Sequence, residues 1–377
     1  MIEATTHLPL FRRAPELQAT VPHLPLGVFP TPVQRFILND EGRCTPILVK
    51  RDDIDAEGYG GNKVRKLEFL LADARARGMT RLITAGATGS HHAFATAYHG
   101  RAAGFDVSLV LFPQSLTTHV QQMLLLDAAV GAQLLWASRM EAVPYGLWRA
   151  RFSHRRQAVC IVAPGGSSEI GTYGYINGAL ELAAQIEDGS AERPSCIHVA
   201  AGTLGTVAGI GIGLAWAGLD IPVVATRITA RMLTNETMLA ALVRSTVGRL
   251  RSAGAADVPD SAAVLPRITL RHDQIGAGYG RATAAGTRAT RVFDAAGLHL
   301  DATYTAKAAA TLLADASPHA AGSSPRAAPM PAGSPGAHRA ALPMFWHTLS
   351  AVEPSHLLRG VEPADLPRPF AKYLLGG

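Results

Sequence analysis

The chain has 377 residues, of which 48% are hydrophobic and 17% charged, and its formal net charge is +6 at pH 7. This length and balance indicate a globular protein with a sizeable core, in one large domain or two ordinary ones. Because the charge is mild and the arginines are scattered, nucleic-acid binding is not indicated.

The predicted elements alternate between apolar strands and helices from residue 45 onward. The strands are predicted at "TPILVKRDD", "RLITAGATG", "DVSLVLFP", "QLLWA", "AVCIVAPGG", "CIHVAAG" and "DIPVVATRI". The helices are predicted from near Lys63 and at "SHHAFATAYHGRAAG", "THVQQMLLLDAAVG", "TYGYINGALELAAQIED" and "TVAGIGIGLAWAG". This rhythm predicts an α/β fold with parallel-rich sheets flanked by helices, and with functional loops at the carboxyl ends of the strands.

Two stretches interrupt this pattern. Residues 196–219 contain no Asp, Glu, Lys or Arg, but their six glycines and a polar Gly-Thr loop predict a strand, a turn and a buried helix rather than a membrane span. Residues 317–341 are almost all Ala, Pro, Ser and Gly, which predicts a mobile surface insertion. The core-like text "PMFWHTLSAV" follows it.

The cysteines and the N-terminus bear on location. The three cysteines are far apart and none forms a CxxC pair, so no disulfide framework is indicated. The opening "MIEATTHLPLFRRAPELQ" lacks the basic start and apolar core of a signal peptide. We therefore expect a cytoplasmic protein that does not act at a membrane.

The stretch "GYGGNK" places Lys63 at the mouth of a helix, behind glycines that let the backbone approach a ligand. Asn62 is a suitable N-cap. The helix N-terminus and the cations Arg65 and Lys66 are expected to lower the pKa of Lys63, which would make it a nucleophile able to form a Schiff base. A surface lysine at a helix start is the alternative.

A second motif, "VAAGTLGTVAG", places Gly202, Thr203, Gly205 and Thr206 between a strand and a helix. Backbone N–H groups and hydroxyls in this arrangement can bind a phosphate, although a tight turn is the alternative. Neither a Gly-Lys-Ser/Thr sequence nor the GxGxxG spacing is present. A Schiff-base lysine together with a compact phosphate site predicts pyridoxal 5′-phosphate as the cofactor.

Six stretches occur in an order that resembles one family: "GGNKVRKLEFLLADARARG" after "KRDD", "ITAGATGSHHAFATAYHGRAAG", "VAPGGSSEIGTYGYINGALEL", "GTLGTVAG", "GAGYG" and "DATYTAKA". It is the D-cysteine desulfhydrase and 1-aminocyclopropane-1-carboxylate deaminase family, within the tryptophan synthase β-like (fold type II) pyridoxal enzymes. The resemblance covers about residues 28 to 310 and resumes at "MFWHT". It implies a homodimer of two-domain subunits with the cofactor between the domains, residues 66–170 forming the smaller domain and 1–65 with 171–377 the larger.

The resemblance also implies roles for single residues. Lys63 would hold the cofactor and later move the α-proton of an amino-acid substrate, and Asn62 and Ser90 would line the pocket of the cofactor and the substrate carboxylate. Two tyrosines, Tyr279 and Tyr304, match active-site tyrosines of the family. The phosphate would be bound by Gly202, Thr203, Leu204, Gly205 and Thr206.

Thr305 bears on which reaction occurs. The deaminases typically have a glutamate there that pairs with the pyridine nitrogen, whereas the desulfhydrases have a threonine. A hydroxyl holds that nitrogen protonated less well than a carboxylate, so Thr305 favours α,β-elimination over ring opening. By the same resemblance, Thr348 in "FWHTLS" is expected to bring a second hydroxyl near the ring.

The chain departs from the family at two positions. It has Ser90, His91 and His92 where the family has Ser-Asn-His or Ser-Asn-Gln, and "HTLSA" where a glycine pair is usual. His91 either takes over the asparagine's contact with the cofactor 3′-oxygen or adds an acid–base group that titrates near neutrality. His92 and His99 share a helix face, but without an acidic or cysteine ligand nearby we predict no metal site.

The leading hypothesis is α,β-elimination from D-cysteine or a related β-substituted amino acid, giving pyruvate, ammonia and the leaving group. Ring-opening deamination, β-replacement and racemisation would use the same residues and remain open. A non-catalytic small-molecule-binding homologue is the alternative from another class.

Overall fold

The computed structural model describes residues 8–316 and 341–375. The predicted insertion therefore lies outside the described residues, except for its last residue. The helices are α1 (Pro9–Arg13), α2 (Lys63–Ala76), α3 (His91–Ala102), α4 (Thr118–Ala129), α5 (Val143–Ser153), α6 (Glu169–Glu187), α7 (Gly205–Trp216), α8 (Glu236–Ser252), α9 (Ser261–Val264), α10 (Ala284–Asp294), α11 (Thr305–Asp315) and α12 (Arg368–Leu375). The strands are β1 (Val33–Asp40), β2 (Arg43–Arg51), β3 (Arg81–Ala87), β4 (Asp106–Phe112), β5 (Gln133–Trp136), β6 (Val159–Ile161), β7 (Cys196–Ala201), β8 (Val223–Arg227), β9 (Ile268–Arg271) and β10 (Pro343–His347).

The strands form two separate sheets. One has the order β1-β2-β10-β7-β8-β9 and the other the order β5-β4-β3-β6. Every neighbouring pair is parallel except β1 and β2. The predicted α/β fold with parallel-rich sheets is therefore confirmed, and the carboxyl ends of the parallel strands are available for a site.

Strand β1 did not stand out in the sequence. It is an edge strand whose residues are mostly exposed or half-buried, so it lacks the apolar run that marks the central strands. It pairs antiparallel with β2 through a turn at Glu41 and Gly42, both of which have positive φ. The sequence "NDEG" is the turn signal that identifies this hairpin.

The uncharged stretch 196–219 forms a strand, a turn and a buried helix, as predicted. Its glycines allow α7 to approach α6 closely: a Cβ on Gly209 would lie 2.7 Å from the carbonyl oxygen of Thr172, and one on Gly213 would lie 2.7 Å from that of Ile176. This packing explains the glycine content without a membrane. Among the described residues, no helix has the length and hydropathy needed to cross a bilayer.

The C-terminal segment packs against the smaller sheet. Phe370 of α12 lies edge-on to Trp136 of β5, with ring centroids 5.1 Å apart, and Leu366 and Phe370 share a buried cluster with Leu134. The sequence-based division placed this segment with the larger domain. The predicted boundaries at residues 65/66 and 170/171 stay predictions, but α12 belongs with the smaller sheet in its packing.

Candidate active site

The loop before α2 is fixed against the end of β10. Gly61 has φ +87°, and a Cβ there would lie 2.8 Å from the carbonyl oxygen of Thr348. That same oxygen accepts a hydrogen bond of 3.0 Å from the backbone N–H of Asn62. Lys63 is the first residue of α2, as predicted. Only glycine allows so close an approach at position 61, so the loop holds Lys63 beside β10.

Asn62 precedes the helix as expected, but its side chain does not cap it. Its Oδ1 accepts a hydrogen bond from the Nζ of Lys63, and its Nδ2 donates to the Oγ1 of Thr206 at 3.4 Å. The side chain therefore joins the lysine amine to the glycine-rich loop after β7. The prediction that the Asn62 side chain caps α2 was wrong. Instead, the side chain connects the Lys63 motif to the loop between β7 and α7.

The amine of Lys63 has a pKa of about 8, lowered by burial of the ammonium group and partly restored by the charge of Asp301. The pKa of Lys63 is lowered, as predicted, but the cause of the shift is not the one predicted. The guanidinium of Arg65, predicted to contribute, is bound to the carboxylates of Asp52 and Glu181. At neutral pH a usable fraction of Lys63 is an uncharged nucleophile.

The loop between β7 and α7 forms a small polar cradle. Leu204 has φ +70°, and the first amides of α7 have no acceptor within the helix. The backbone N–H of Gly205 donates to the Oγ of Ser167 at 3.0 Å. A Cβ at position 205 would lie 2.6 Å from that oxygen and 3.1 Å from the Nζ of Lys66. Glycine at this position therefore leaves space lined by donors.

Lys66 and Ser167 are site residues that the motifs did not reveal. The Nζ of Lys66 donates to the carbonyl oxygen of Gly165 at 3.0 Å, and the hydroxyls of Ser167 and Thr203 lie 2.7 Å apart. Burial and the charge of Lys63 hold the pKa of Lys66 well below its usual range. An anion bound beside Lys66 would restore its charge. The i, i+3 spacing from Lys63 was the available signal.

These groups fit pyridoxal 5′-phosphate. A reactive amine, an amide-and-hydroxyl cradle and a second lysine suit an aldehyde that carries a phosphate. Lys63 would hold the aldehyde carbon, while the loop 202–206 with Lys66 and Ser167 would hold the phosphate.

The two predicted tyrosines lie together. The hydroxyls of Tyr279 and Tyr304 are 2.5 Å apart, and their rings meet edge to face. The ring of Tyr304 touches the cradle, since a Cβ on Gly202 would lie 3.4 Å from its Cε1. Burial raises the pKa of both hydroxyls, so both keep their protons. One proton bridges the pair, and the other can be directed into the cleft.

His91 is neutral at physiological pH. Burial, helped by His119, lowers its pKa to about 4, so the predicted titration near neutrality is wrong. Its Nδ1 lies 2.5 Å from the hydroxyl of Tyr59, whose pKa is raised by burial and which therefore donates. Ser90 caps α3 by accepting from the backbone N–H of Ala93 at 3.3 Å. Tyr59 precedes Lys63 in one loop, a proximity that could have identified it.

The two other histidines of α3 point to separate partners. The Nε2 of His92 lies 2.9 Å from the Oγ1 of Thr84, and the Nε2 of His99 lies 2.8 Å from the carbonyl oxygen of Tyr59. Within residues 8–316 and 341–375, no group of three His, Cys, Asp or Glu side chains is arranged to bind a metal.

A buried carboxylate lies directly behind Thr305. The Thr305 hydroxyl donates to the Oδ1 of Asp301 at 2.7 Å, and Asp301 also accepts from the backbone N–H groups of Thr303, Tyr304 and Thr305. Burial alone would raise the pKa of Asp301, but His91 and these hydrogen bonds lower it. The Thr305 oxygen also accepts from the backbone N–H of Asp301 at 2.8 Å. Because its proton is committed to a carboxylate, Thr305 would offer only a lone pair to a cofactor nitrogen. The motifs did not reveal Asp301.

We expect the Asp301→Asn variant to lower the pKa of Lys63 further, because the carboxylate is the charge that opposes the effect of burial. The shift is expected to be about half a unit or more toward lower pH. Competitive acylation of the cofactor-free protein, with mass spectrometry of the Lys63 peptide against pH, measures it. Asp294→Asn, at an exposed carboxylate, is the control. An unchanged midpoint in Asp301→Asn would contradict this coupling.

The comparisons with known proteins agree with the predicted cofactor. Residues 24–324 match the family described as "Pyridoxal-phosphate dependent enzyme". The chain is 31% identical to nocardicin C-9′ epimerase of Nocardia uniformis subsp. tsuyamanensis over 355 residues, which cover 91% of this chain and 97% of the epimerase. It is 32% identical to D-cysteine desulfhydrase of Salmonella paratyphi B over 311 residues, covering 78% of this chain and 88% of that enzyme.

A solved structure described as an ACC deaminase homologue shares the fold with a TM-score of 0.71 and 27% identity, covering 93% of this chain and 99% of that one. The family and the cofactor predicted from the motifs are thereby confirmed. The roles of the single residues stay predictions. The chain belongs to the pyridoxal-phosphate dependent enzymes, in the lyase and deaminase branch that contains the D-cysteine desulfhydrases and the ACC deaminases.

Proposed function

We propose that the chain catalyses α,β-elimination from a β-substituted amino acid, with D-cysteine as the reference substrate. The substrate and one water give pyruvate, ammonia and the protonated leaving group. The observation that carries the proposal is the amine of Lys63, with a pKa of about 8, joined through Asn62 to the phosphate cradle.

The bound cofactor supplies an electron sink that makes the α-proton of the amino acid acidic. Lys63 is the base that takes this proton, because its amine is uncharged in part at neutral pH and lies at the cradle. Ser90, at the N-terminus of α3, would bind the substrate carboxylate, since the amides of a first helical turn favour an anion. Together they orient the α-carbon toward the base.

The leaving β-substituent needs a proton. The Tyr279–Tyr304 pair is the donor we propose, because both hydroxyls are protonated and one of them bridges to the other. When one tyrosine hydroxyl donates its proton to the oxygen of the other tyrosine, the hydroxyl of that second tyrosine becomes a better proton donor. The Thr305 hydroxyl, fixed by Asp301, is consistent with elimination rather than ring opening.

Epimerisation at the α-carbon is a second candidate, since the nocardicin C-9′ epimerase matches 97% of its own length to this chain. Lys63 would remove the same proton in both reactions. In epimerisation a proton returns to the opposite face of the α-carbon, and the Tyr279–Tyr304 pair is the available donor. The β-substituent would then stay in place.

A single assay separates these reactions. The cofactor-loaded enzyme is incubated in D₂O with each enantiomer of cysteine, O-acetylserine and alanine, and with 1-aminocyclopropane-1-carboxylate, and is followed by NMR and keto-acid detection. Pyruvate and sulfide from cysteine support elimination, whereas inversion with α-deuteration and no keto acid supports epimerisation. α-Ketobutyrate from the cyclopropane substrate reveals ring opening, and a new β-bond with added thiol reveals replacement. A loaded protein that turns over none of them contradicts the proposal.

The remaining proposals concern location and assembly. The three cysteines, Cys44, Cys160 and Cys196, are unpaired, which suits the reducing cytoplasm. A homodimer is proposed from family resemblance. Light scattering of the purified enzyme tests it, and a mass of about 40 kDa per particle, the mass of one chain, would exclude it.

A further inference from the structure

Two histidines lie next to Tyr304, and one of them, His119, has no part in the proposed reaction. The rings of His91 and His119 have centroids 4.8 Å apart and are tilted by 39°. His91 also faces the ring of Tyr304, with centroids 6.4 Å apart. His119 lies in the first turn of α4 and is exposed. The pair therefore extends from the reactive tyrosine toward solvent.

His91 presents a hydrogen-bond donor to this space. Its Nδ1 accepts from the Tyr59 hydroxyl, so in the neutral ring the proton is on Nε2. In the part of the chain that the structure describes, Nε2 has no hydrogen-bond partner. The proton on Nε2 is therefore available to a ligand in the cleft.

His119 and Gln114 complete the rim. The Nε2 of His119 donates to the carbonyl oxygen of Gly89 at 3.1 Å, and its Nδ1 has no hydrogen-bond partner among the described residues. A Cβ on Gly89 would lie 2.7 Å from the Nε2 of Gln114, so the amide is next to the histidines. Gln114 also approaches the tyrosine loop, since a Cβ on Gly280 would lie 4.0 Å from its Cδ. The rim offers donors from two separate segments of the chain.

We infer that this rim, formed by His91, Gln114 and His119, binds an oxygen-bearing group on the substrate side chain beyond the β-atom, and that a carboxylate fits it best. The inference rests on the proposed function and names its substrate class. A cysteine thiol ends at the β-substituent and leaves these donors unused. A carboxylate has only acceptor oxygens, which suit the N–H of His91 and the side-chain amide N–H₂ of Gln114.

The carboxylate that faces His91 already accepts hydrogen bonds from other donors. The titratable groups that face His91 are Tyr59, His119, Tyr304, Lys63 and Asp301. The two tyrosines are neutral, and the carboxylate of Asp301 is bound by three backbone amides and the Thr305 hydroxyl. An anionic side chain at the rim would meet donors first.

The test uses three S-substituted cysteines of similar size, each as both enantiomers: S-carboxymethyl, S-carbamoylmethyl and S-propyl. With cofactor-loaded enzyme we expect kcat/KM to fall in that order, by about tenfold or more from first to last. The difference is expected in KM, because the rim lies away from the reacting atoms. Titration of the visible absorption band with each compound gives the binding constants independently of turnover.

The variant His119→Phe keeps a ring and is expected to bring the carboxymethyl and propyl compounds within about twofold of each other. His91→Asn, which restores the family residue, is expected to reduce the preference in part. His299→Phe, at a side chain that is 82% exposed, is the matched control and keeps the wild-type preference.

Equal kcat/KM and equal binding constants for the three compounds in wild-type enzyme would overturn the inference while leaving the proposed function intact. Failure of every compound, D-cysteine included, to give keto acid would count against the proposed function. In that case the binding titration still decides the inference, since equal binding by the three compounds refutes it.

Discussion

Replacing Lys63 with alanine is expected to abolish turnover, with a loss in kcat of at least about 10³-fold, because one side chain both holds the cofactor and moves the α-proton. The purified variant should lack the visible absorption band that is expected of the wild-type enzyme. Borohydride treatment of wild-type enzyme should fix the cofactor to the Lys63 peptide. The chain has only five lysines, so peptide mapping assigns the site unambiguously.

The pH dependence of cofactor loading gives the same prediction a second readout. Burial lowers the pKa of Lys63 to about 8, and only the uncharged amine attacks an aldehyde. Raising the pH removes the proton, so the loading rate of cofactor-free protein should rise up to about pH 8 and then level off. Lys372→Ala, at an exposed lysine, should load and turn over like wild type. A visible band and full activity in Lys63→Ala would refute the assignment.

The sequence predicted the parts of the site that depend on short motifs. Lys63 and the loop from Gly202 to Thr206 each combine a flexible backbone with one chemical group, and both were recognised before the fold was known. The structure brings them together through Asn62. Tyr279 and Tyr304 also meet, although 25 residues separate them along the chain. These groupings follow from parallel strands, whose carboxyl ends bring distant loops to one edge.

Contacts that depend on packing between distant parts of the chain could not be predicted from the motifs. The pKa of His91 could not be foreseen, because its neutrality comes from burial and from a neighbouring imidazole 28 residues away. Arg65 was expected to lower the pKa of Lys63, and this prediction was wrong because the carboxylates that bind its guanidinium lie on other elements. Asp301 was visible as a residue, but its effect on Thr305 requires the fold of the helix start.

Arg65 belongs to a buried cluster of charged side chains that is expected to contribute strongly to the stability of the fold. Its guanidinium bonds both oxygens of Asp52 and both of Glu181 at 2.8 to 3.0 Å, and all three side chains are almost fully buried. Lys50 completes a neutral set of two cations and two anions. Burial alone would raise the pKa of Asp52, but Arg65 outweighs it and holds the pKa at about 2. This cluster ties the first turns of α2 to α6 and β2, and so positions Lys63.

The Arg65→Met variant leaves Asp52 and Glu181 buried with one cation between them, so we expect the free energy of unfolding to fall by about 3–5 kcal/mol. Urea unfolding of the loaded enzyme measures it. The depressed pKa of Asp52 contributes stability above its unfolded value of about 4, and this is lost as pH falls through 2. In the variant that carboxyl takes up a proton more readily. The difference in the free energy of unfolding between wild type and Arg65→Met should therefore be largest near pH 7 and shrink as the pH falls toward 4.

Two further variants separate the buried charges from the loss of an arginine as such. Arg288→Met removes a half-exposed partner of Asp40 and is expected to cost at most about 1 kcal/mol. Adding Asp52→Asn to Arg65→Met removes one uncompensated carboxylate and should recover part of the loss, even though it deletes a second member of the cluster. If the double variant is less stable than Arg65→Met, uncompensated charge is not the cause. The hydrogen bonds that Asp52 accepts from Tyr175 and Trp346 would then be the larger contribution.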